Sequence, residues 1–216
     1  MSYWMTQSLL NSWLYFLNAD DAYADTARDS FLATLRRQPQ EPSKAMLDGI
    51  RFEDLVNRLV AHETVDTAAE GIDAKWLQAA MKIAHKCAGG VSQAPVCGTL
   101  HTAGMDFVLY GICDYVKAGV IIDIKKPTRY EYGKYFDSPQ HPMYLHLLPE
   151  AKRFDYLIFD GTYVHRETYR RGDYEPIENK IHKFINWLGD MGLLDEYKRH
   201  WAMNDERMEK THGFQI

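Results

Sequence analysis

The stretch GICDYVKAGVIIDIKK, residues 111–126, guides the interpretation of the whole chain. It is rich in β-branched and aromatic residues and is interrupted at Ala118-Gly119, a pair typical of a tight turn, so it predicts two neighbouring strands. Side chains alternate between the faces of a strand, so Asp123 and Lys125 point to the same face. The turn folds Asp114 of the first strand alongside Asp123. Two carboxylates and one ammonium group are therefore predicted to converge.

Two acids beside a lysine are suited to phosphodiester hydrolysis. Carboxylates are preferred ligands of Mg²⁺ and Mn²⁺, and a bound metal polarises the phosphoryl oxygen and lowers the pKa of a bound water. The lysine can position that water or offset charge that develops on the phosphate. The carbonyl of Ile124 is a candidate further ligand. Two alternatives stay open: an ordinary salt bridge on an exposed hairpin, and Asp106 as first acid in place of Asp114.

A helix with an N-cap at Ser43 is predicted to reach about His62. At about 100° per residue its apolar side chains form one broad arc, and Glu53 falls inside that arc. The apolar members are Met46, Ile50, Phe52, Val56, Leu59 and Val60. A buried carboxylate without a partner is costly, so Glu53 is expected to contact a metal ion, with a structural pair to Arg or Lys as the alternative.

Helices are predicted on both sides of the strands. The predicted helices are a first one capped by Thr6 or Ser8 that carries Leu9 to Leu17, then Ala24–Arg36, Ser43–His62, Ala68–Lys86, one between Ser138-Pro139 and Pro149, Ile177–Leu188 and Leu193–Met203. The predicted strands form a meander over Val96–Lys126, with turns at Ala103-Gly104 and Ala118-Gly119, and a hairpin over residues 155–170 with its turn at Asp160-Gly161. This order predicts an α/β or α+β fold with a covered central sheet. We expect one domain over residues 1–216, mainly helical in 1–90, with the sheet core in 94–170 and C-terminal helices in 176–205.

Two further motifs follow the strands. Gln140 and Tyr144 are i,i+4 neighbours on a helix, where they can bind a phosphate or brace the lysine. The segment before them, residues 125–136, interleaves cations with aromatic rings: Lys126, Arg129 and Lys134 with Tyr130, Tyr132 and Tyr135. Cations that follow phosphates and rings that stack on bases are typical of a loop that binds a nucleic-acid strand. The alternative is a solvated loop whose tyrosines pack on the core.

Composition narrows the function classes. The chain has 25 basic and 30 acidic residues and a net charge of −5, which does not by itself indicate a nucleic-acid binder, so the local distribution of charge decides. We find no apolar run long enough for a membrane span and no secretory signal, and expect a cytoplasmic protein. Cys87, Cys97 and Cys113 have no Cys-x-x-Cys spacing, so neither a disulfide framework nor a zinc ribbon is predicted. The scattered histidines and the lack of a Gly-rich phosphate loop argue against an unrelated small-molecule enzyme.

In this order the motifs resemble the PD-(D/E)XK nuclease superfamily, in particular its RecB-like and lambda-exonuclease-like branches. The resemblance covers about half of the chain and runs through Gly49-x-x-x-Glu53, Gly111-x-x-Asp114, Asp123-x-Lys125 and Gln140-x-x-x-Tyr144. The opening of the chain also resembles the N-terminal helical segment common in those proteins. The resemblance implies a restriction-endonuclease-like core, with a central mixed sheet flanked by helices.

The resemblance also implies roles for single residues. Asp114 and Asp123 match the metal-binding carboxylates, Lys125 matches the catalytic lysine, and Glu53 stands where RecB-like members place a helix residue that reaches the metal. Gln140 and Tyr144 match the motif that supports the site and the DNA end.

The activity so implied is that of a Mg²⁺- or Mn²⁺-dependent deoxyribonuclease. It would act as an exonuclease on DNA ends in recombination, repair or phage DNA processing. Three cysteines without suitable spacing argue against an iron–sulfur cluster. DNA is the expected partner, and a homo-oligomer or a recombination or annealing protein is a further candidate. The alternative is a module with the nuclease fold that binds nucleic acid or protein without cutting.

Overall fold

A computed structural model describes residues 1–203 and shows a central mixed sheet with helices on both of its faces. The strands are β1 Ser2–Thr6, β2 Val91–Thr102, β3 Met105–Lys117, β4 Val120–Lys125, β5 Arg153–Phe159 and β6 Val164–Tyr169. The helices are α1 Gln7–Leu17, α2 Ala24–Leu35, α3 Lys44–Val60, α4 Ala74–Cys87, α5 Gln140–Leu147, α6 Ile177–Asp190 and α7 Leu194–Trp201, with a 3₁₀ turn at Asp21–Tyr23. The predicted fold class is confirmed, and the architecture is consistent with a restriction-endonuclease-like core.

The sheet forks at β3. One edge of β3 pairs along its length with antiparallel β2. The other edge serves two strands: parallel β1, from Ser2↔Asp106 to Thr6↔Tyr110, and antiparallel β4, from Tyr115↔Ile122 to Lys117↔Val120. Beyond β4 the sheet continues with parallel β5 and antiparallel β6. On this second edge, residues 111–114 of β3 pair with neither strand, and they mark the point where β1 and β4 diverge.

The predicted turns of the sheet are confirmed. Ala103-Gly104 joins β2 to β3 and Ala118-Gly119 joins β3 to β4, and all four residues have positive φ. Two consecutive positive φ values are the geometry of the two-residue hairpin turns that match the twist of antiparallel strands. The β3–β4 turn fixes the register that carries Asp114 next to Asp123.

The helix boundaries differ most at α4. The prediction placed its start near Ala68, but α4 begins at Ala74, where the Asp73 side chain accepts a hydrogen bond from the Trp76 N–H. Gly71, with φ of 62°, interrupts the chain just before this cap. Thr6 and Ser43 cap α1 and α3, as the sequence predicted.

Two parts of the sheet extend beyond the predicted limits. The expectation that residues 1–90 are mainly helical missed β1, and the meander begins at Val91 rather than Val96. A strand of five residues that pairs in parallel with a distant segment leaves no turn signal in the sequence. Of the predicted C-terminal segment 176–205, residues 204 and 205 lie outside the described residues.

Each face of the sheet has its own apolar core. Helices α3 and α4 cover one face, where Phe52, Val56 and Ile83 belong to the same buried cluster as Ile122 and Ile124. The opposite face carries the larger cluster, which includes buried residues of α1, α2, α5, α6 and α7.

The predicted apolar arc of α3 was wrong at its N-terminal end. Met46 and Ile50 are 59% and 61% exposed, while Phe52, Leu55 and Val56 are buried. The first two turns of α3 therefore do not contribute to the core. No helix among the described residues combines the length and the hydropathy that crossing a bilayer requires.

Candidate active site

Three acidic side chains from three elements meet at the fork of the sheet. The last β3–β4 pair in this direction, Tyr115↔Ile122, places Asp114 opposite Asp123 one residue further on. Glu53 reaches the same place from α3, and its charge acts on both of these acids. The convergence predicted from strand alternation and the turn is therefore present, because the β4 residues beyond Ile122 continue past the end of the pairing with β3.

Asp123 is the most enclosed of the three acids, with 2% of its surface exposed. Its Oδ1 accepts a hydrogen bond of 2.5 Å from Nε2 of Gln140. Its Oδ2 forms a buried ion pair with Nζ of Lys125 at 2.7 Å and has no other polar partner among the described residues. A buried oxygen whose single partner is a cation is suited to bind a metal ion in its place.

Asp114 binds the neighbouring strand directly. Its Oδ2 accepts a hydrogen bond of 2.7 Å from the backbone N–H of Ile124. Burial raises the pKa of Asp114 well above its ordinary value, and the charges of Asp123 and Glu53 raise it further. Burial also raises the pKa of Asp123, against the opposing effects of Lys125 and Gln140. Burial is the largest cause of both shifts, and the three acids outnumber the one lysine among them.

Lys125 is the cation inside this group of acids. Burial alone would lower the pKa of its ammonium, but the charges of Asp123, Asp114 and Glu53 outweigh it and the pKa is raised. Lys125 therefore stays protonated while it faces Asp123. Its Nζ also lies 5.9 Å from the centre of the Tyr156 ring.

Glu53 is held by a residue that sequence reasoning missed. Its Oε1 accepts a hydrogen bond of 2.7 Å from Nε2 of Gln93 in β2. Gln93 has a φ of 49°, and the ladder between β2 and β3 skips Gln93 and Asp114, which stand opposite each other. Such backbone strain is concentrated at functional sites in proteins. Burial raises the pKa of Glu53, and the charge of Asp123 adds to that rise.

The donor set suits a hard divalent cation, but the donors are not yet arranged as a closed site. Within residues 1–203 no three His, Cys, Asp or Glu side chains are placed so that they could hold a metal ion together. The cation that faces Asp123 here is the Lys125 ammonium. Oxygen ligands from Asp114, Asp123 and Glu53 are nevertheless the kind that Mg²⁺ and Mn²⁺ bind. The carbonyl of Ile124 as a further ligand stays a prediction.

Gln140 and Tyr144 share a helix face, as predicted, but both are buried. The Tyr144 hydroxyl donates a hydrogen bond of 3.1 Å to the carbonyl of Ile112, in the part of β3 that pairs with neither β1 nor β4. Its ring fills the space beside Gly111, where a Cβ atom would overlap it. Gln140 and Tyr144 are 6% and 3% exposed and in this structure brace Asp123 and β3, while their contact with DNA stays a prediction.

A buried carboxylate anchors the loop between β4 and α5. Glu167 of β6 is 3% exposed and accepts hydrogen bonds from the Tyr130 hydroxyl at 2.8 Å, the Gly133 N–H at 3.0 Å and the Tyr169 hydroxyl at 2.6 Å. Tyr135 stacks on Tyr156 at 4.7 Å between ring centres. The alternative that these tyrosines pack on the core therefore holds for Tyr130 and Tyr135, whose rings are not free to stack on bases.

The exposed part of the same loop carries a tyrosine ring and two cations at the surface. Tyr132 is 88% exposed. Arg129 pairs with Glu131 at 2.6 Å, and Nζ of Lys134 donates to the Arg129 carbonyl at 2.7 Å. Lys126 does not join them, because its Nζ lies over the Trp76 ring of α4 at 4.9 Å.

The alternative first acid, Asp106, lies near the other end of β3. It pairs in register with Ser2 of β1 and contacts Nδ1 of His101 at 2.7 Å on the surface. It takes no part in the cluster around Lys125. The preference for Asp114 is supported by the geometry.

Comparisons with known proteins add the following. No protein-family model matches the chain, and no curated protein sequence matches it. Among solved structures, that of SSO0001 aligns with a TM-score of 0.49 and 10% identity, over 88% of this chain and 77% of that one. The structure of LHK-Exo in complex with dAMP aligns with a TM-score of 0.43 and 13% identity, over 90% of this chain and 91% of that one. Because the identities and TM-scores are low, we base the functional proposal on the side chains described above.

Proposed function

We propose that this protein is a metal-dependent deoxyribonuclease that hydrolyses phosphodiester bonds at the fork between β3 and β4. The observation that carries the proposal is the buried Oδ2 of Asp123, whose single partner among the described residues is the Lys125 ammonium and which lies beside two other acids of raised pKa. Strongly shifted acids around one lysine are typical of catalytic sites and costly in a purely structural role.

Each group has a role in this proposal. Asp114, Asp123 and Glu53 would hold Mg²⁺ or Mn²⁺, which when bound supplies Lewis-acid polarisation of the phosphate and a more acidic water. Lys125, kept protonated by the three acids, would place its positive charge beside the phosphate as negative charge develops there. Gln140 orients Asp123 through Oδ1 and leaves Oδ2 for the cation.

The loop between β4 and α5 supports DNA as the substrate. Arg129 and Lys134 are exposed, and the exposed ring of Tyr132 offers a face for base stacking. The resemblance to RecB-like and lambda-exonuclease-like proteins favours an exonuclease that acts on DNA ends, in recombination, repair or phage DNA processing. We extend the proposal to a single nuclease domain, to a cytoplasmic location, and to a homo-oligomer or a recombination partner.

One observation favours a second candidate, a nucleic-acid-binding module that does not cut. The ion pair between Lys125 and Asp123 and the lack of converged metal ligands in residues 1–203 describe a site whose buried carboxylate is already neutralised by the chain's own lysine. A binding module would keep this ion pair in the presence of divalent cations, whereas a nuclease would exchange it.

Cleavage of end-labelled linear DNA and of closed circular DNA, with Mg²⁺, with Mn²⁺ and with chelator, tests the proposal. We expect metal-dependent cleavage that Lys125→Ala lowers by at least about a hundredfold, because a positioned positive charge is lost. Lys152→Ala, at an exposed lysine outside the site, is the matched control and should cleave normally. No cleavage of either substrate by the unchanged protein, or full cleavage by a pure Lys125→Ala preparation, would reject the nuclease assignment.

A further inference from the structure

A second concave site lies on the reverse face of the sheet. It is a cavity of about 400 Å³ at the ends of β4 and β5 that are remote from Lys125. Four cationic residues line it: Lys86 from α4, Lys117 from β3, Arg153 from β5 and Arg166 from β6. It takes no part in the proposed active site.

Strand alternation separates the two sites. Val120 and Ile122, which line the cavity, point to the face that α3 and α4 cover. Asp123 and Lys125 alternate with them and point to the opposite face. The cavity is thus the part of the α3–α4 face that the two helices leave open.

The charge of the cavity is strongly unbalanced. Among its lining residues the four cations face one acid, Asp155. Asp155 is 4% exposed and already bound, by Nε of Arg153 at 3.2 Å and by the Thr168 hydroxyl at 2.8 Å. In a protein with a net charge of −5, such a concentration of positive charge around one concavity repels itself unless an anion joins it.

Two of the cations are held in place by the fold. Nζ of Lys117 donates a hydrogen bond of 3.0 Å to the carbonyl of Lys86 at the end of α4. The guanidinium of Arg153 is oriented by Asp155. Groups that are already ordered lose less entropy when a ligand binds, which favours binding.

We propose that this cavity binds a phosphate group carried by a compact ligand of nucleotide size. Four cations around one concavity fit a single doubly charged anion, whereas a nucleic-acid strand needs cations spread along a groove. The apolar side chains of the cavity, those of Val120, Ile122 and Leu157, offer a surface for the organic part of a phosphate ester. The volume lies within the range of small-molecule sites.

Calorimetric titration tests this proposal in the presence of chelator, so that the carboxylate site takes no part. The ligands are inorganic phosphate, a deoxynucleoside 5′-monophosphate and the corresponding nucleoside without phosphate. We expect both phosphate ligands to bind and the nucleoside not to bind. Arg166→Ala and Lys86→Ala, both at exposed positions, should each weaken binding about tenfold, while Lys82→Ala, at an exposed lysine one turn earlier in α4, should not.

The outcomes separate the ligand sources and the two sites. Tighter binding of the nucleotide than of inorganic phosphate identifies an organic ester as the ligand, and equal binding identifies free phosphate. Binding that survives in Lys125→Ala, together with DNA cleavage that survives in Arg166→Ala, shows that this cavity is independent of the proposed nuclease site. The proposal is overturned if no phosphate ligand binds at about 10 mM. It is also overturned if Arg166→Ala and Lys86→Ala bind these ligands as tightly as the control Lys82→Ala does.

Discussion

Two buried carboxylates, Asp123 and Glu167, are almost equally enclosed but differently partnered. Glu167 is 3% exposed and accepts three hydrogen bonds from neutral donors. Asp123 is 2% exposed, accepts a hydrogen bond from Gln140, forms an ion pair with Lys125, and has two further acids nearby. The Glu167 site is complete within the chain and fastens a loop. The Asp123 site has one neutral donor and concentrates charge around a lysine, as expected if it holds the proposed cation.

Asp114→Asn should separate activity from stability most sharply. We expect DNA cleavage to fall by at least about a hundredfold, since an anionic ligand of the proposed cation is lost. We also expect the variant to be more stable than the unchanged protein in chelator at neutral pH. The amide oxygen can still accept the Ile124 N–H, while the charge that burial and the two other acids oppose is removed.

The sign of the Asp114 effect follows from proton binding. A carboxyl whose pKa is raised by folding contributes stability below its unfolded pKa, and that contribution is lost as the pH rises through the folded value. Urea unfolding of both proteins, with and without Mg²⁺, measures the difference. Lower stability of Asp114→Asn in chelator, with unchanged cleavage, would show that the acid cluster around Asp123 has a structural role, as Glu167 does.

Glu167→Gln should show the opposite behaviour. One amide oxygen cannot replace two carboxylate oxygens that bind two phenols and one N–H, so we expect a loss of about 1–3 kcal/mol in unfolding free energy. The loop of residues 126–139 should also be held less firmly, so KM for DNA should rise several-fold while kcat changes little. Asp137→Asn, at an exposed acid in the same loop, is the matched control. A large fall in kcat with normal stability would place Glu167 in the chemistry instead.

His141 offers the test with the smallest expected effect. It is a buried base beside Gln140, and one of its two ring nitrogens has a hydrogen-bond partner. Its Nδ1 lies 3.2 Å from the Tyr156 hydroxyl, and its Nε2 is buried without a partner among the described residues. Burial, helped by the charge of Lys180, lowers the pKa of His141 from 6.5 to about 3. The unfolded chain therefore takes up a proton at His141 more readily than the folded chain does. The stability contributed by the neutral His141 is present above about pH 6.5 and is lost as the pH falls towards 3.

At about pH 5 the loss attributable to His141 is about 2 kcal/mol. His141→Asn should remove most of that slope when unfolding is followed at about pH 7 and pH 5. The comparison uses the difference between the two proteins, since the raised pKa values of the acid cluster act in the opposite sense. Parallel pH profiles for both proteins would mean that His141 is protonated in the folded state.

The central part of the site was predictable because it depends on local rules. Strand alternation and the Ala118-Gly119 turn are enough to bring Asp114, Asp123 and Lys125 together. The i,i+4 spacing placed Gln140 and Tyr144 on one face, although it gave no measure of their burial. Helical periodicity likewise indicated which way Glu53 points.

What escaped prediction depends on distant partners or unusual backbone. Gln93 reaches Glu53 through a left-handed φ for which a glutamine gives no signal, although the i,i+4 spacing of Glu53 and Asn57 could have indicated a polar patch on α3. The role of Glu167 requires the loop after β4 to cross to β6, which residue spacing does not report. A helical wheel gives the direction of Met46 and Ile50 but not the extent of the surface that covers them.

The fork at β3 has a further consequence for how the site can be lost. The sheet leaves residues 111–114 without strand partners on one edge, and the Tyr144 hydroxyl binds the carbonyl of Ile112 within that stretch. Longer pairing of β1 or β4 would fill this gap, which lies where Tyr144 packs beside Gly111. We therefore expect the proposed chemistry to depend on incomplete pairing of the sheet, because Gln140 of the same helix contacts Asp123.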